Sequence, residues 1–456
     1  MDEARADDGS AREPYAAVLD ALEGADLPDV GRRVAAATAE LGVTHGAGEA
    51  CHPFVIDPVP RVFAAEEWRA LEAGLAQRVR ALEAFVADVH GEQAALAAGV
   101  VPREAVESCV WFEPDVRELP PPPLWIGVAG PDVVRDGRGR LVVLEDNVRT
   151  PTMMAYAVVA RRVVDATLDT AAPSAVAVEE PLVAALWRTL AAAAPDGIDD
   201  ASVAILTEGA ANALRWEIEA LGRLLDVPVV EPADLEVRRG RLCVRATGAR
   251  VDVVFRRTSE ERLRDGHGRL NVLGELLLDP LRAGTLRVVN AFGTGVADDK
   301  RIYPHVEDLV RFFCCEEPLV RSVATYDLAD AARRAEAMSR LEELVVKPRG
   351  GSGGFGVVVG PRASPRELDA TRDAIRVDPA RFVAQEAVEI STHPTLVDGR
   401  LEPRHLDLRP FAFCDGERVR VLPGGLSRFA LAAGDLVVNC SQGGGGKDVR
   451  VMPRGD

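Results

Sequence analysis

The chain is poor in the residues that build thiolate and imidazole metal centres. Its seven cysteines are odd in number and form no CxxC pair, which counts against a structural zinc site and against a disulfide framework. Its seven histidines are scattered and none stands in HExxH spacing, so a zinc hydrolase is not indicated either. Basic residues are also in deficit: 54 Lys and Arg against 72 Asp and Glu give a formal charge of −18. A surface of that sign repels polyanions, which excludes nucleic acid and anionic membranes as main partners and requires any phosphate site to be local. No stretch approaches the roughly 18 to 20 uncharged apolar residues that cross a bilayer. The acidic start Met1-Asp2-Glu3 does not resemble a signal peptide, so the expected location is the cytoplasm.

What is present is enough apolar residue, 47% of 456, to fill the cores of two or three lobes. From Tyr15 to about Ala98 the text is largely helical, with Leu, Val and Ala recurring at three- and four-residue intervals from Ala64 to His90. Leu124 to Val134 and Leu141 to Leu144 read as strands around the turn Arg135-Asp136-Gly137-Arg138-Gly139, followed by helices over 152–168 and 178–194. Ser202 to Leu206, Ala210 to Leu225 and Val227 to Val230 alternate strand, helix and strand, as in a Rossmann-like lobe. The first turn there, Thr207-Glu208-Gly209, lacks GxGxxG, which speaks against a dinucleotide. Residues 301–340 read as mostly helical, Ser364-Pro365-Arg366-Glu367 as a helix cap, Phe382 to Glu386 as a strand, and Arg404 to Val451 as a β-rich tail.

Two stretches carry chemistry. In Val345-Val346-Lys347-Pro348-Arg349-Gly350-Gly351-Ser352-Gly353-Gly354-Phe355-Gly356-Val357-Val358-Val359, apolar strands flank a glycine-rich turn. Its backbone N–H groups can close on an anion, although a ligand-free flexible hairpin has the same composition. In Val143-Leu144-Glu145-Asp146-Asn147-Val148-Arg149, strand alternation puts Glu145 and Asn147 on one face and turns Asp146 away. If residues 130–146 form a hairpin, Asp132 lies near Glu145, and an oxygen-only set suited to Mg²⁺ results; a solvated acidic rim is the alternative.

Together these motifs resemble the ATP-grasp ligases. Asp132 followed by Glu145-x-Asn147-x-Arg149 resembles their magnesium motif, the glycine-rich hairpin their phosphate loop, and Val345-Val346-Lys347-Pro348 their lysine strand. Val383-Ala384-Gln385-Glu386-Ala387-Val388 resembles the segment that meets adenine, and Asp299-Lys300 the earlier lysine. The order differs from the usual one, because the carboxylates precede the glycine loop. That order, with Gly293-Thr294-Gly295-Val296-Ala297-Asp298-Asp299-Lys300, Arg404-His405-Leu406-Asp407-Leu408-Arg409-Pro410-Phe411, Leu422-Pro423-Gly424-Gly425-Leu426 and Ser441-Gln442-Gly443-Gly444, resembles the circularly permuted ATP-grasp family over roughly residues 50 to 452. One departure is Thr152-Met153, where a smaller Ser-Gly pair is expected in relatives.

The resemblance implies a mixed α/β (α+β) ATP-grasp fold, circularly permuted, with a Rossmann-like lobe and an N-terminal helical region. The expected division is 1–110 helical, 111–197 part of the C-lobe with the metal carboxylates, 198–300 Rossmann-like, 301–400 the small lobe with glycine loop and adenine hinge, and 401–456 the strands completing the C-lobe. It implies ATP and Mg²⁺ as cofactors. Nucleotide residues would be Lys300, Lys347, Gly350, Gly351, Ser352, Gly353, Gly354, Gly356, Gln385, Glu386 and Val388; metal ligands Asp132, Glu145 and Asn147; catalytic residues Arg409 and Arg149. The activity implied is ligation of a carboxylate to an amine through an acyl phosphate, with amino acids or peptides as substrates and a homo-oligomer left open. A small-molecule kinase and a non-catalytic nucleotide-binding protein are the alternatives. His405 reads as packed rather than as a base, Cys314-Cys315 as core, and Lys447 as either a phosphate contact or part of a tail loop.

Overall fold

In the computed structural model, residues 1–168, 174–259, 262–351, 353–430, 432–438 and 444–453 are described. Apolar periodicity lays down the longest element, the helix Ala65–His90. Its buried stripe of Trp68, Leu71, Leu75, Val79, Leu82, Phe85, Val86 and Val89 follows the i, i+3, i+4 rule of a helix packed on one side. The helix lies against a five-stranded sheet in the order Val128–Ala129, Arg409–Cys414, Val419–Phe429, Gly445–Val451, Ile56–Phe63. The last pair is parallel and joins the first seventh of the chain to its final strand. The N-terminal stretch is thus not purely helical: all eight residues of Ile56–Phe63 are buried. The polar ones carry partners from elsewhere, Arg61 from Glu3 and Asp57 from Lys447. On the other face of the sheet lies the helix Met154–Leu168, buried along most of its length.

The Rossmann-like lobe is a four-stranded parallel sheet in the order Arg287–Val289, Val253–Arg256, Val203–Leu206, Val229–Val230. The hairpin Leu235–Arg238 and Arg241–Val244 stands beside it. The small lobe is an antiparallel sheet in the order Thr325–Asp327, Phe382–Glu386, Leu344–Pro348, Val358–Val359. Residues 301–340, expected to be mostly helical, therefore supply an edge strand as well. The helix Pro365–Val377 starts on the expected capping box of Ser364 and Glu367. A three-stranded sheet, with Leu141–Glu145 between Asp132–Arg135 and Arg321–Ser322, connects this lobe to the five-stranded sheet.

Candidate active site

The hairpin 132–145 places its residues as strand alternation requires. Asp132 and Glu145 are direct cross-strand partners. Asp146 turns to the opposite side, where Arg78 of the long helix meets both its oxygens at 2.7 and 2.6 Å. Glu145 and Asn147 instead face a cavity of about 560 Å³, within the range of small-molecule sites. The same cavity is lined by Asp132, Arg149, Lys300, Lys347, Gly350, Gly351, Gly353, Gly354, Gln385, Glu386, Val388 and Arg409. The Lys300 ammonium links the carboxylate hairpin to the glycine loop. Lys300 Nζ lies 2.7 Å from Glu145 Oε1 and donates to the Gly351 carbonyl at 2.7 Å.

The glycine-rich turn between Leu344–Pro348 and Val358–Val359 depends on its composition, since Gly353, Gly354 and Gly356 take φ of 67°, 73° and 72°, where side chains are disfavoured. Gly356 does not itself line the cavity, and Ser352 lies outside the described residues. The root of the turn is fixed by Arg349, whose Nε donates to both oxygens of Asp299 at 2.8 Å. Lys347 donates to Gln385 Oε1 at 2.6 Å. The Gln385 amide donates onward to the Leu144 carbonyl at 3.2 Å and to Thr325 Oγ1 at 2.9 Å. Burial, helped by neighbouring Lys300, pulls the Lys347 ammonium below its usual value despite Glu145. For Lys300 burial acts the same way, but the adjacent Glu145 carboxylate outweighs it and raises the value. Two buried ammonium groups flanking one carboxylate leave the site ready for further negative charge. Val388 packs with Val134, Val142, Val323 and Ile390 in an apolar patch that also holds Leu144 and Leu436. The Glu386 carboxylate turns away from that patch to Tyr326, at 2.6 Å, and Arg340.

On the opposite wall Arg409 clamps Asp132, with Nε to Oδ1 at 2.8 Å and Nη2 to Oδ2 at 2.9 Å, and donates from Nη1 to Thr152 Oγ1 at 3.1 Å. Arg428 reaches the same carboxylate at 2.9 Å. Burial alone would raise the Asp132 carboxyl, and the two guanidinium groups reverse that and hold it below the usual range. Arg149 donates from Nε to Asp298 Oδ1 at 3.0 Å and lies 4.2 Å over the Trp111 ring. Gly295 allows that stack, because a Cβ there would stand 2.3 Å from Trp111 Cβ and 3.1 Å from Arg149 Cδ. Arg428, Trp111, Asp298 and Thr152 also line the cavity. The sequence assigns none of them a role, although Asp298 and Thr152 sit inside quoted motifs and Arg428 follows Leu422-Pro423-Gly424-Gly425-Leu426 on the same strand.

The donors suit a hard cation in kind. Asp132, Glu145 and Asn147 offer only oxygen ligands, and the buried Asn147 side-chain nitrogen has no hydrogen-bond partner among the described residues. Among the described residues no group of three His, Cys, Asp or Glu side chains converges, in keeping with a set that includes an asparagine and has its carboxylates paired to Arg409 and Lys300. Other residues singled out in the sequence stand apart. His405 Nδ1 lies 2.8 Å from the Ile390 carbonyl, a packing role. Cys314 Sγ contacts the Gln77 carbonyl of the long helix and Cys315 is exposed. Lys447 is neither a phosphate contact nor part of a loose loop: it is fully buried, bound to Asp57 and, at 3.0 Å, to the Pro394 carbonyl.

Comparison with known proteins adds to this geometry. The family described as circularly permuted ATP-grasp type 2 matches residues 60–430. An uncharacterized protein of Mycobacterium tuberculosis H37Rv is 40% identical over 453 residues, which cover 97% of this chain and 82% of that protein. A Frankia casuarinae protein provisionally named glutamate–cysteine ligase 2-2 is 40% identical over 457 residues, covering 98% of this chain but 53% of its own length. The chain thus spans about half of that relative. Among solved structures, a glutathione synthetase-like effector from Globodera pallida in its apo form aligns over 93% of this chain and 96% of its own, with a TM-score of 0.62 at 12% identity. That last likeness is one of fold.

Proposed function

The chain belongs to the circularly permuted ATP-grasp type 2 family, and from that premise we propose that it is an ATP- and Mg²⁺-dependent ligase joining a carboxylate to an amine, with amino acids or peptides as substrates. The observation that carries this reading is the single cavity onto which Lys300, Lys347, the glycine turn, Gln385, Asp132, Glu145, Asn147, Arg149 and Arg409 all open. In the reaction a substrate carboxylate oxygen attacks the γ-phosphorus, the bond to ADP breaks, and an acyl phosphate forms. The amine nitrogen then adds to the acyl carbon, loses a proton and expels phosphate.

Each step brings negative charge together, and the chain's own groups answer it. Lys300 and Lys347 would place positive charge beside the nucleotide phosphates, and N–H groups of the turn at Gly350, Gly351, Gly353 and Gly354 would cover them. Val388, Ile390 and Leu436 offer an apolar seat for a base, beside the strand end at Gln385 and Glu386. Arg409 and Arg149, which line the same cavity, would supply cations to the transferring phosphoryl group and the acyl phosphate. Glu145, Asn147 and Asp132 would hold Mg²⁺, which supplies charge neutralisation and orientation of phosphate oxygens. The glycine turn excludes water from an intermediate that hydrolyses readily. The test is ADP release from Mg-ATP with pooled amino acids, peptides and polyamines, followed by mass detection of an amide. A stable phosphorylated product in its place would establish a kinase, and nucleotide binding without ADP release over the whole panel would establish a non-catalytic binder. Lys347→Ala and Glu145→Ala are each expected to abolish turnover while the protein stays folded; wild-type ADP release by either refutes the site assignment.

A further inference from the structure

Beyond the phosphate end, the cavity runs to the turn Thr150-Pro151-Thr152-Met153, which leads into the helix Met154–Leu168. Met153 holds φ of 84°, a region where any side chain is strained and glycine is at ease. It is nevertheless a long residue, only 5% exposed, and belongs to an apolar cluster with Phe54 and Tyr156, against which Leu214 packs. The strained turn is held from several sides. Arg257 Nη1 donates to the Pro151 carbonyl at 2.5 Å, Arg409 Nη1 to Thr152 Oγ1 at 3.1 Å, and the buried Glu217 carboxylate takes the Ala155 N–H at 3.3 Å. Gly130 permits the approach, since a Cβ there would stand 2.9 Å from Pro151 Cβ. Backbone strain persists only where surrounding contacts over-determine it, and such places gather at functional sites. Resting on the ligase reading above, we propose that Met153 is a specificity-determining residue: its side chain fills the end of the cavity away from the phosphate loop and limits the substrate that reacts beside Arg409 to a small side chain. Glu217 and Arg257 act through the turn, as positioning residues.

The test compares wild type with Met153→Gly and Met153→Ala. ADP release is measured with Mg-ATP and glycine, alanine, leucine and phenylalanine in binary pairs, so that each can serve as acid or amine. Thermal shifts with the same amino acids and a non-hydrolysable ATP analogue give a binding readout that does not depend on turnover. Both variants are expected to gain about tenfold or more in kcat/KM for leucine or phenylalanine relative to glycine, with KM for ATP unchanged, and to show thermal shifts with the larger ligands that wild type lacks. Met153→Gly relieves the backbone but gives up a buried apolar side chain, so both variants are expected to fold with lower unfolding midpoints than wild type, Met153→Ala the more so because it keeps the strain. If neither variant gains on the larger ligands by either measure, the proposal is overturned. A gain in Met153→Gly alone also overturns it, in favour of turn flexibility over side-chain bulk. The ligase reading fails separately, by absence of ADP release from wild type across the panel, and in that event broadened binding by both variants still upholds the role of Met153.

Discussion

Glu3→Gln is the perturbation whose size can be worked most directly from the structure. The Glu3 carboxylate is buried between Arg61, at 2.9 and 2.6 Å, and Arg135, at 3.3 Å, and accepts a further bond from Ser391. Burial alone would raise its carboxyl; the two guanidinium groups and the hydrogen bonds reverse this and bring it from 4.5 to about 2. A folded value below the unfolded one means that the ionised carboxylate stabilises the native state. The contribution is complete above pH 4.5 or so and fades as pH falls toward 2. The gap corresponds to ~3 kcal/mol at neutral pH. Glutamine keeps the shape and removes the charge, leaving Arg61 buried with polar partners only. Urea unfolding followed by circular dichroism and tryptophan emission at pH 7, 5, 4 and 3 gives the comparison. Trp68 packs edge-on to Phe63 at 5.3 Å, and Arg61 lies 5.0 Å over the same ring, so a reporter stands close by. Wild type should exceed Glu3→Gln by ~3 kcal/mol at pH 7, and the difference should shrink steadily below pH 4.5. A difference that is absent at pH 7, or the same at pH 3 as at pH 7, refutes the reasoning.

Other expectations concern the site. Asp299→Ala removes the counter-charge of Arg349 at the root of the glycine turn and leaves its guanidinium only the neutral acceptors Ser108 and Ala105, which should cost ~3 kcal/mol of stability, read as a lower unfolding midpoint and faster proteolytic nicking within the glycine turn. Lys300→Ala frees Glu145, so Mn²⁺ titrated calorimetrically without nucleotide should bind more tightly than to wild type, while ATP affinity falls about tenfold to a hundredfold through the loss of a charged contact. Gly295→Ala drives a methyl group into Trp111 and should cost ~1 to 3 kcal/mol, together with the quenching or shift of tryptophan emission that follows displacement of Arg149 from that ring.

Much of the site was legible because it sits on regular strands. Alternation alone separated Glu145 and Asn147 from Asp146, and Asp146 duly meets Arg78 of the long helix. The glycine hairpin and the strand Phe382–Glu386 were legible for the same reason: uninterrupted β-branched or apolar runs bounded by glycine or by a capped helix. What the sequence hid was long-range. Ile56–Phe63 contains two prolines, an aspartate and an arginine and shows no period of two. It is a strand because Lys447 and Glu3, at the two ends of the chain, neutralise those charges. Arg428 stands in an ordinary strand, and its importance appears only once Asp132 and Asp407 are folded against it.

The parallel pairing of Ile56–Phe63 with Gly445–Val451, together with the bridge from Asp2 to Thr392, makes the polypeptide close to a ring. Its beginning and its last strand lie in one lobe, so joining them through a short flexible linker would cost little loop entropy. A ring of this kind can be opened elsewhere. The largely exposed turn at 196–200 separates the stretch bearing Asp132 and Glu145 from the one bearing Lys300, Lys347 and the glycine turn. Cutting there would place the lysines ahead of the carboxylates in the new reading direction, and residues 196–200 are not among those that line the cavity. The order in which the motifs are read along the chain and the geometry of the cavity are then separate matters.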